Sequence, residues 1–557
     1  MTAYGIDLGT TTTLIARAYA GLGTETINAD IMPIRQKIMR NGAFSEINID
    51  YMPSIAHFPH EGGALVGSEA LTISVSEGSV SHSVRAVKRL MGQSFLLPEP
   101  INRTAADISA LYLTHVLRGV SFSSRDELTV TVPASFTANQ RRDTLQALQT
   151  ACRTLGVALP DAKIGNLLIS EPVAALLANL AEDLQLAEPL RRLNIDKSPL
   201  VLVYDIGGGT LDLTLVKLEW RNPAHPKNLS NLYFDVRELN RYNQFGGEDF
   251  DIEVAGKLLT HFIEANPELE QLDLTDAEVQ QVRFSLIDAA EQLKKSINEE
   301  LGFALPGESI TLSFTLPNPI TLREREYGFT DWEISSQDYE TWVAPFLTYR
   351  ADPRNTLYPI ESLLARSDLS LNDVDYFLLV GGMARFAPLQ TALQAAWQRD
   401  TGFLTTTAPH QNVAKGAAVY SFLKARSDQF GIDEPAADAY YVRKSDGFSL
   451  LLDRGSVSEG DKGEYTLTGE GSDLRLEIFA GESPETTNSL ESIYPSLVYQ
   501  GSVLVPLGKK YSQGTKVWIQ MLRKREDYSK MPSLKIWVNT ETNLVSTISY
   551  NQLHGKD

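Results

Sequence analysis

Two short turns place an acid at the end of a strand, followed by glycine and threonine: Gly5-Ile6-Asp7-Leu8-Gly9-Thr10-Thr11 and Tyr204-Asp205-Ile206-Gly207-Gly208-Gly209-Thr210. The chemistry that suits such a turn is the binding of a hydrated polyphosphate. Glycine permits close backbone approach, exposed N–H groups and the threonine hydroxyl meet phosphate oxygens, and the aspartate meets the cation that a polyphosphate carries. One such turn alone reads more readily as the closure of a hairpin. Two of them, each fed by a strand and separated by roughly 200 residues, point to a duplicated domain with one phosphate-facing loop in each half. A Walker-type Gly-x-x-x-x-Gly-Lys-Ser/Thr is absent and no Gly-x-Gly-x-x-Gly follows a strand, so neither a P-loop enzyme nor a Rossmann dehydrogenase is supported.

A third glycine turn, Leu379-Val380-Gly381-Gly382-Met383-Ala384-Arg385, also closes an apolar strand. Its glycines would let a base or ribose lie against backbone while Arg385 stacks on a purine face; the alternative is a plain strand-to-helix turn with an exposed arginine. Between Leu286 and Asn298 two faces run at helical spacing. Leu286, Ala290, Leu293 and Ile297 form the apolar stripe, and Glu291, Lys294, Lys295 and Asn298 the polar one. On spacing alone the polar stripe is a solvated ion-pair face. His57 and His60 flank Pro59, which argues against a helical metal face and for a loop. Cys152, among Leu145, Leu148 and Leu155, reads as a buried structural thiol.

The elements that must hold these residues follow from patterning. Up to residue 426, β-branched runs such as Leu128–Val132, Leu200–Tyr204 and Tyr376–Val380 alternate with longer amphipathic stretches, the pattern of α/β architecture. Residues 427–440 are polar, small and Pro-interrupted and read as a linker. Beyond them, the alternating runs Leu474–Ile478, Val517–Met521 and Leu534–Val538 are separated by Gly, Ser and Asp clusters, which predicts an antiparallel sandwich over 441–557. The chain has 557 residues, 50 Lys plus Arg against 70 Asp plus Glu, and one cysteine. A net charge of −20 disfavours nucleic acid and anionic lipid as partners. One cysteine allows no internal disulfide. No apolar run reaches the ~18 residues of a spanning helix, and a cytoplasmic protein is the expectation.

The motifs, taken in order, resemble the seventy-kilodalton heat-shock (DnaK-like) chaperone family of the actin and hexokinase ATPase superfamily. The resemblance runs from Tyr4 to about Phe422. It is carried by the two acid-tipped turns, by Val87-Lys88-Arg89-Leu90-Met91-Gly92, by Val130-Thr131-Val132-Pro133-Ala134-Ser135-Phe136 with Gln140-Arg141, and by Ser170-Glu171-Pro172-Val173-Ala174-Ala175. Phe245-Gly246-Gly247-Glu248-Asp249-Phe250-Asp251, Leu379 to Arg385 and Val413-Ala414-Lys415-Gly416-Ala417-Ala418 complete the set. It implies an α/β two-lobed actin-like ATPase built from duplicated ribonuclease-H-like domains, with lobe I about 1–195, lobe II about 196–390 and a closing helix to 426, followed by an all-β sandwich.

The resemblance also implies roles. Asp7, Asp205 and Glu171 would hold Mg²⁺, largely through water. Thr10, Thr11, Gly207, Gly208, Gly209 and Thr210, with Gly246 and Gly247 beside them, would bind the phosphates of ATP or ADP. Lys88 would sit beside the γ-phosphate, and Thr210 and Asp212 would organise the attacking water. Glu171 would pass the γ-phosphate signal through Pro133 and Arg141. Glu291, Lys294, Lys295, Asn298, Gly381, Gly382 and Arg385 would grip the adenosine. The implied activity is hydrolysis of ATP to ADP and phosphate, controlling binding of an unfolded or extended polypeptide, with a J-domain protein and a nucleotide-exchange factor as partners.

Three departures bound that transfer. Phe430-Gly431-Ile432-Asp433-Glu434-Pro435 stands where the family has a run of leucines ahead of its acidic linker residue, so the family's docked coupling does not carry over from sequence. The helical lid after the family's sandwich is not found. Met383 and His410 replace a small polar and an acidic residue. Hence a second reading stays open: a nucleotide-sensing scaffold with slow turnover, whose β-domain binds one dedicated protein partner. Whether that domain has a client groove also stays open. A small-molecule kinase of the superfamily is weakened by the Lys88 and Phe245–Asp251 motifs.

Overall fold

In a computed structural model the described residues are 2–549, except 22–25, 41–42, 77–81, 94, 160–166, 188–189, 223, 225–227, 241–243, 304–307, 353, 400, 407, 427–429, 435–438, 445–446, 453–461, 468–469, 482–496, 523–532 and 540–543. Strands β1 (Ala3–Leu8), β2 (Thr12–Ala20), β3 (Ile27–Ile31), β4 (Glu127–Val132) and β5 (Leu168–Ser170) build one sheet in the order β5-β4-β1-β2-β3. Strands β6 (Leu200–Ile206), β7 (Leu211–Trp220), β8 (Leu232–Leu239), β9 (Tyr376–Val380) and β10 (Phe403–Leu404) build a second in the order β10-β9-β6-β7-β8. The orders coincide strand for strand, and so do the directions. In each sheet a central strand pairs antiparallel with the strand after it and parallel with the fourth. The duplication suggested by two short turns therefore extends through two whole sheets.

Buried on both faces, the central strands are near-continuous apolar runs. Their period of two sorts them between three cores. Tyr4, Ile6 and Leu8 pack with helices α1 (Ala105–Gly119) and α2 (Ala138–Thr154). Leu202, Tyr204 and Ile206 pack with α4 (Gly247–Ala265), α5 (Asp276–Leu301) and α6 (Ala387–Trp397). Ala3 from β1 and Val201 and Val203 from β6 enter one shared core with α3 (Glu171–Asp183) and α7 (Asn412–Lys424). Asp7 and Asp205 lie on the strand faces that look into this shared layer, at the strand ends where the apolar packing stops. The helices begin where the chain supplies caps: Thr104 with Asp107, Thr137 with Gln140 and Thr275 with Glu278 form reciprocal capping boxes.

Helix α7 follows lobe II but returns to lie on the first sheet and on α3. The approach is close enough to demand glycine. A Cβ on Gly416 would fall 1.7 Å from the carbonyl oxygen of Ala174, and one on Gly5 would fall 2.1 Å from the Ala418 nitrogen. Lobe II also reaches past residue 390, because Phe403–Leu404 pairs parallel with β9 at one edge of its sheet.

One expectation is corrected beyond that point. Within the stretch read as a linker, strand β11 (Gly431–Asp433) pairs parallel with β8 at the open edge of the second sheet. Phe430 and Ile432 are buried in the shared core, and the Tyr233 hydroxyl donates to Asp433 Oδ2 at 2.7 Å. The polar composition of the stretch hid two apolar anchors spaced for one face of a strand. Its last two residues, Ala439 and Tyr440, begin a further strand, and 427–429 and 435–438 lie outside the described residues.

The C-terminal part contains two four-stranded antiparallel sheets. One has the order β13-β12-β15-β16, from Gly447–Leu452, Ala439–Lys444, Gly471–Gly481 and Leu497–Tyr511. The other has the order β14-β17-β18-β19, from Gly463–Thr466, Lys516–Leu522, Ser533–Val538 and Leu544–Ser549. Side chains of both sheets, among them Val442, Ile478, Val517 and Ile536, share one apolar core. Among the described residues no helix is long and apolar enough to cross a membrane.

Candidate functional site

The turn after β1 and the turn after β6 meet. A Cβ on Gly208 would lie 1.8 Å from Thr11 Oγ1, and one on Gly209 would lie 2.4 Å from Thr10 Cγ2, so only glycine lets the lobe II turn approach the lobe I threonines this closely. The turn is framed from behind by the start of α4: Gly247 N donates to Gly207 O at 3.0 Å and Glu248 N to Gly208 O at 2.6 Å. A Cβ on Gly246 would strike the Gly208 carbonyl group at 2.8 Å. Gly381, at φ +90°, lies against Ile206 O and Asp205 Oδ1, which bars a side chain there on both conformation and space.

Four carboxylates converge beside these turns. Asp205 faces Asp212 across the β6–β7 pair, Asp7 comes from lobe I, and Glu171 opens α3 with Pro172 behind it. The pKa of Asp7 is pushed up to about 7, first by burial and then by the charge of Glu171. That of Asp212 is pushed up to about 7 for the same two reasons. Asp205 is raised well above the usual carboxylate range by burial and by the charges of Glu171, Asp212 and Asp7. Such mutual repulsion requires the four groups to be near neighbours.

One cation answers them. Lys88, 4% exposed, bonds through Nζ to Glu171 Oε1. Burial would lower its pKa, but Glu171 and Asp7 outweigh burial and hold the ammonium charged. The neighbours of Lys88 point elsewhere. Arg89 crosses to lobe II, donating to Gly209 O at 3.0 Å and pairing with Asp249 at 3.1 Å and Glu248 at 3.4 Å. Arg85 pairs with Asp288 at 3.4 Å and lies 3.9 Å over the Phe284 ring, both on α5. Two buried polar atoms at the cleft, Thr10 Oγ1 and Asp212 Oδ2, have no hydrogen-bond partner among the described residues.

The polar stripe of α5 divides. Glu291 and Lys295 pair at 2.8 Å near the surface, where Lys295 and Lys294 outweigh burial and hold the Glu291 carboxyl low. Lys294 is buried, paired with Asp251 at 2.7 Å and donating to Gly247 O at 3.2 Å. Asn298 accepts the Ala387 N–H at the start of α6 at 2.8 Å. Arg385 and Gly382 are exposed beside the buried Gly381, and the Met383 side chain packs over Gly247. His410 is held below the usual imidazole range by burial and by Arg385. His57 sits in a short strand, Ile55–His57, rather than a loop, bonded to Ser83 Oγ at 2.8 Å. The Cys152 thiol is buried, and burial pushes it up to about 11.

Sequence reading missed two groups here. Thr131 Oγ1 donates to Asp7 Oδ1 at 3.3 Å, and Ser135 Oγ donates to Asp212 Oδ1 at 3.2 Å. Both lie inside the Val130–Phe136 motif, where hydroxyls at a strand end were the available signal.

Twin sheets of one strand order, closed on a shared acidic cleft, define a two-lobed α/β class. Comparison with known proteins then identifies the family: the family model described as Hsp70 protein matches residues 99–429, more than half of the chain, so the chain belongs to the Hsp70 family, whose nucleotide-binding part is the actin-like two-lobed fold. Chaperone protein DnaK 3 of Synechococcus sp. is 26% identical over 441 residues, covering 74% of this chain and 57% of that protein. The match thus spans well under two thirds of the relative's length.

Proposed function

We propose that this Hsp70-family chain is a Mg²⁺-dependent ATPase whose nucleotide state is passed to its C-terminal β-domain, a sandwich that binds an extended polypeptide. The observation that carries this reading is the convergence of Asp7, Glu171, Asp205 and Asp212 from both lobes on the buried ammonium of Lys88, beside glycine turns. An all-oxygen, like-charged donor set suits a hard divalent cation, and the buried Thr10 hydroxyl and Asp212 oxygen have unspent hydrogen-bonding capacity. Among the described residues no three acids stand close enough to ligate an ion directly, so Asp7, Asp205 and Glu171 would hold Mg²⁺ through its water. When bound, the ion neutralises charge on the phosphate oxygens.

Thr10, Thr11 and the Gly207–Thr210 turn would take the phosphates, which requires the touching turns to part and therefore the lobes to rotate. Lys88, kept charged by its acids, would neutralise charge developing on the transferred phosphoryl group, while Thr210 and Asp212 position the attacking water. Glu291, Lys295, Gly382 and Arg385 would surround the nucleoside. Lys294 and Asn298 serve it at one remove, through the backbone of Gly247 and the start of α6. Docking of β11 on the lobe II edge gives lobe rotation a direct path to the β-domain, which favours coupling over a passive scaffold.

The test is phosphate release with Mg²⁺ and with excess EDTA, with and without an unfolded peptide, a J-domain protein and an exchange factor. Pull-downs in ATP and in ADP accompany it. Mg²⁺-dependent turnover raised by peptide, with partner capture that differs between nucleotides, is expected. Capture of one folded protein irrespective of nucleotide, without turnover, would instead establish the scaffold.

A further inference from the structure

Ser135 sits in the turn between β4 and α2, on lobe I. Its hydroxyl donates to Asp212 Oδ1 on lobe II at 3.2 Å. The turn is held from within lobe I. Arg141, 4% exposed, donates through Nη2 to Ala134 O and through Nε to Phe136 O, each at 3.1 Å, so its planar fork grips the backbone on both sides of Ser135. The capping box of Thr137 and Gln140 fixes the start of α2 immediately after it. Asp212 is 1% exposed, its Oδ2 has no partner among the described residues, and it pairs in register with Asp205.

We propose that Ser135 is a positioning residue that sets the orientation of Asp212 from the opposite lobe, so that the free oxygen of this carboxylate is aimed into the cleft only in one arrangement of the lobes. A carboxylate buried on β7 with one oxygen unbound could turn about its terminal torsion. The hydroxyl of a turn clamped by Arg141 removes that freedom, and rotation of the lobes would restore it. The consequence for turnover rests on the ATPase reading above; the hold of Ser135 on Asp212 does not.

The experiment compares Ser135→Ala, Ser135→Thr, Asp212→Asn and the double variant Ser135→Ala/Asp212→Asn in the full chain. Single-turnover hydrolysis of ATP is measured beside the affinity for a fluorescent ADP and thermal unfolding without nucleotide. Loss of a hydrogen bond to a charged group predicts a rate about 10-fold lower in Ser135→Ala, with nucleotide affinity within about twofold of the parent and most of the rate restored by threonine. In the Asp212→Asn background Ser135→Ala should lower the rate by less than about twofold. On melting, the two substitutions should be non-additive by about 2–4 °C. An unchanged rate in Ser135→Ala of a hydrolysing parent, or a fall in rate undiminished by Asp212→Asn, overturns the proposal. If the parent does not hydrolyse ATP, the ATPase reading fails, and the melting cycle decides the hold on its own: additive shifts overturn it.

Discussion

The two lobes share one strand order and one acid at the same strand end, yet their buried cations point in opposite senses. In lobe I, Lys88 comes from a helical turn, Val87–Leu90, inserted between β3 and β4, and it faces the cleft with four acids around it. In lobe II, the insertion between β8 and β9 supplies Lys294, which turns inward to Asp251 and to the backbone of α4. Duplication therefore supplied the symmetric part of the site, the facing aspartates. The unequal insertions gave the cleft its polarity: a cation beside the hydroxyls from one side, glycine backbone from the other. A buried ion pair at the same depth is a frame in one lobe and faces the cleft in the other.

The largest effect should come from breaking the frame. Asp251→Ala leaves Lys294 buried without its carboxylate and should cost about 3–5 kcal/mol in urea unfolding. Glu171→Ala should cost distinctly less, because Asp7 and Asp212 still face Lys88. Equal losses from the two would erase the distinction between the lobes. The converse substitution tests function: Lys88→Ala should retain ATP binding while hydrolysis falls about 10²–10³-fold, as for removal of a preorganised electrostatic group. Unchanged turnover would remove Lys88 from the chemistry.

A smaller effect separates the pairs by pH. Burial pushes Asp251 up to about 6 despite Lys294, well above its usual value of 3.8. The native state then binds more protons than the unfolded chain between about pH 4 and pH 6, so this group's contribution to stability falls as pH rises through that window. Asp251→Asn should flatten that part of the curve, by about 1–3 kcal/mol across the window. A difference curve between parent and variant with no slope there would contradict it.

The same contrast explains what could be read in the sequence. Asp7, Asp205 and their glycine turns were legible because the chemistry and the backbone that presents it are contiguous. The sheets were legible through runs such as Leu200–Tyr204. Spacing placed Lys294 and Asn298 on one polar face of a helix, and only the family resemblance assigned that face to a nucleoside; spacing could not show what packs on it, since Asp251 and Ala387 are 43 and 89 residues away. Ser135 escaped for the same reason, its partner lying 77 residues downstream on the other lobe. The docked β11 was masked by composition. Two buried side chains, Phe430 and Ile432, decide the position of a stretch whose other residues look like solvent.

The smallest effect tests whether the lobes are joined at the mouth of the cleft as well as at its floor. Arg85 reaches α5 by a partly exposed ion pair to Asp288 and by its guanidinium over Phe284. Each contact contributes about 0.5–1 kcal/mol where solvent reaches it. Both must part when the lobes open, so Arg85→Ala should hasten release of a fluorescent ADP by about 5-fold while lowering overall stability by less than about 1 kcal/mol. Arg85→Lys keeps the charge but loses the flat guanidinium that stacks on the ring, and its release rate should fall between the two. High salt should narrow the gap between parent and Arg85→Ala, since it screens the ion pair and leaves the ring contact. A release rate unaffected by Arg85→Ala would mean that the lobes are held through α3, α7, the Ser135 turn and Arg89, and that the mouth of the cleft opens without resistance from α5.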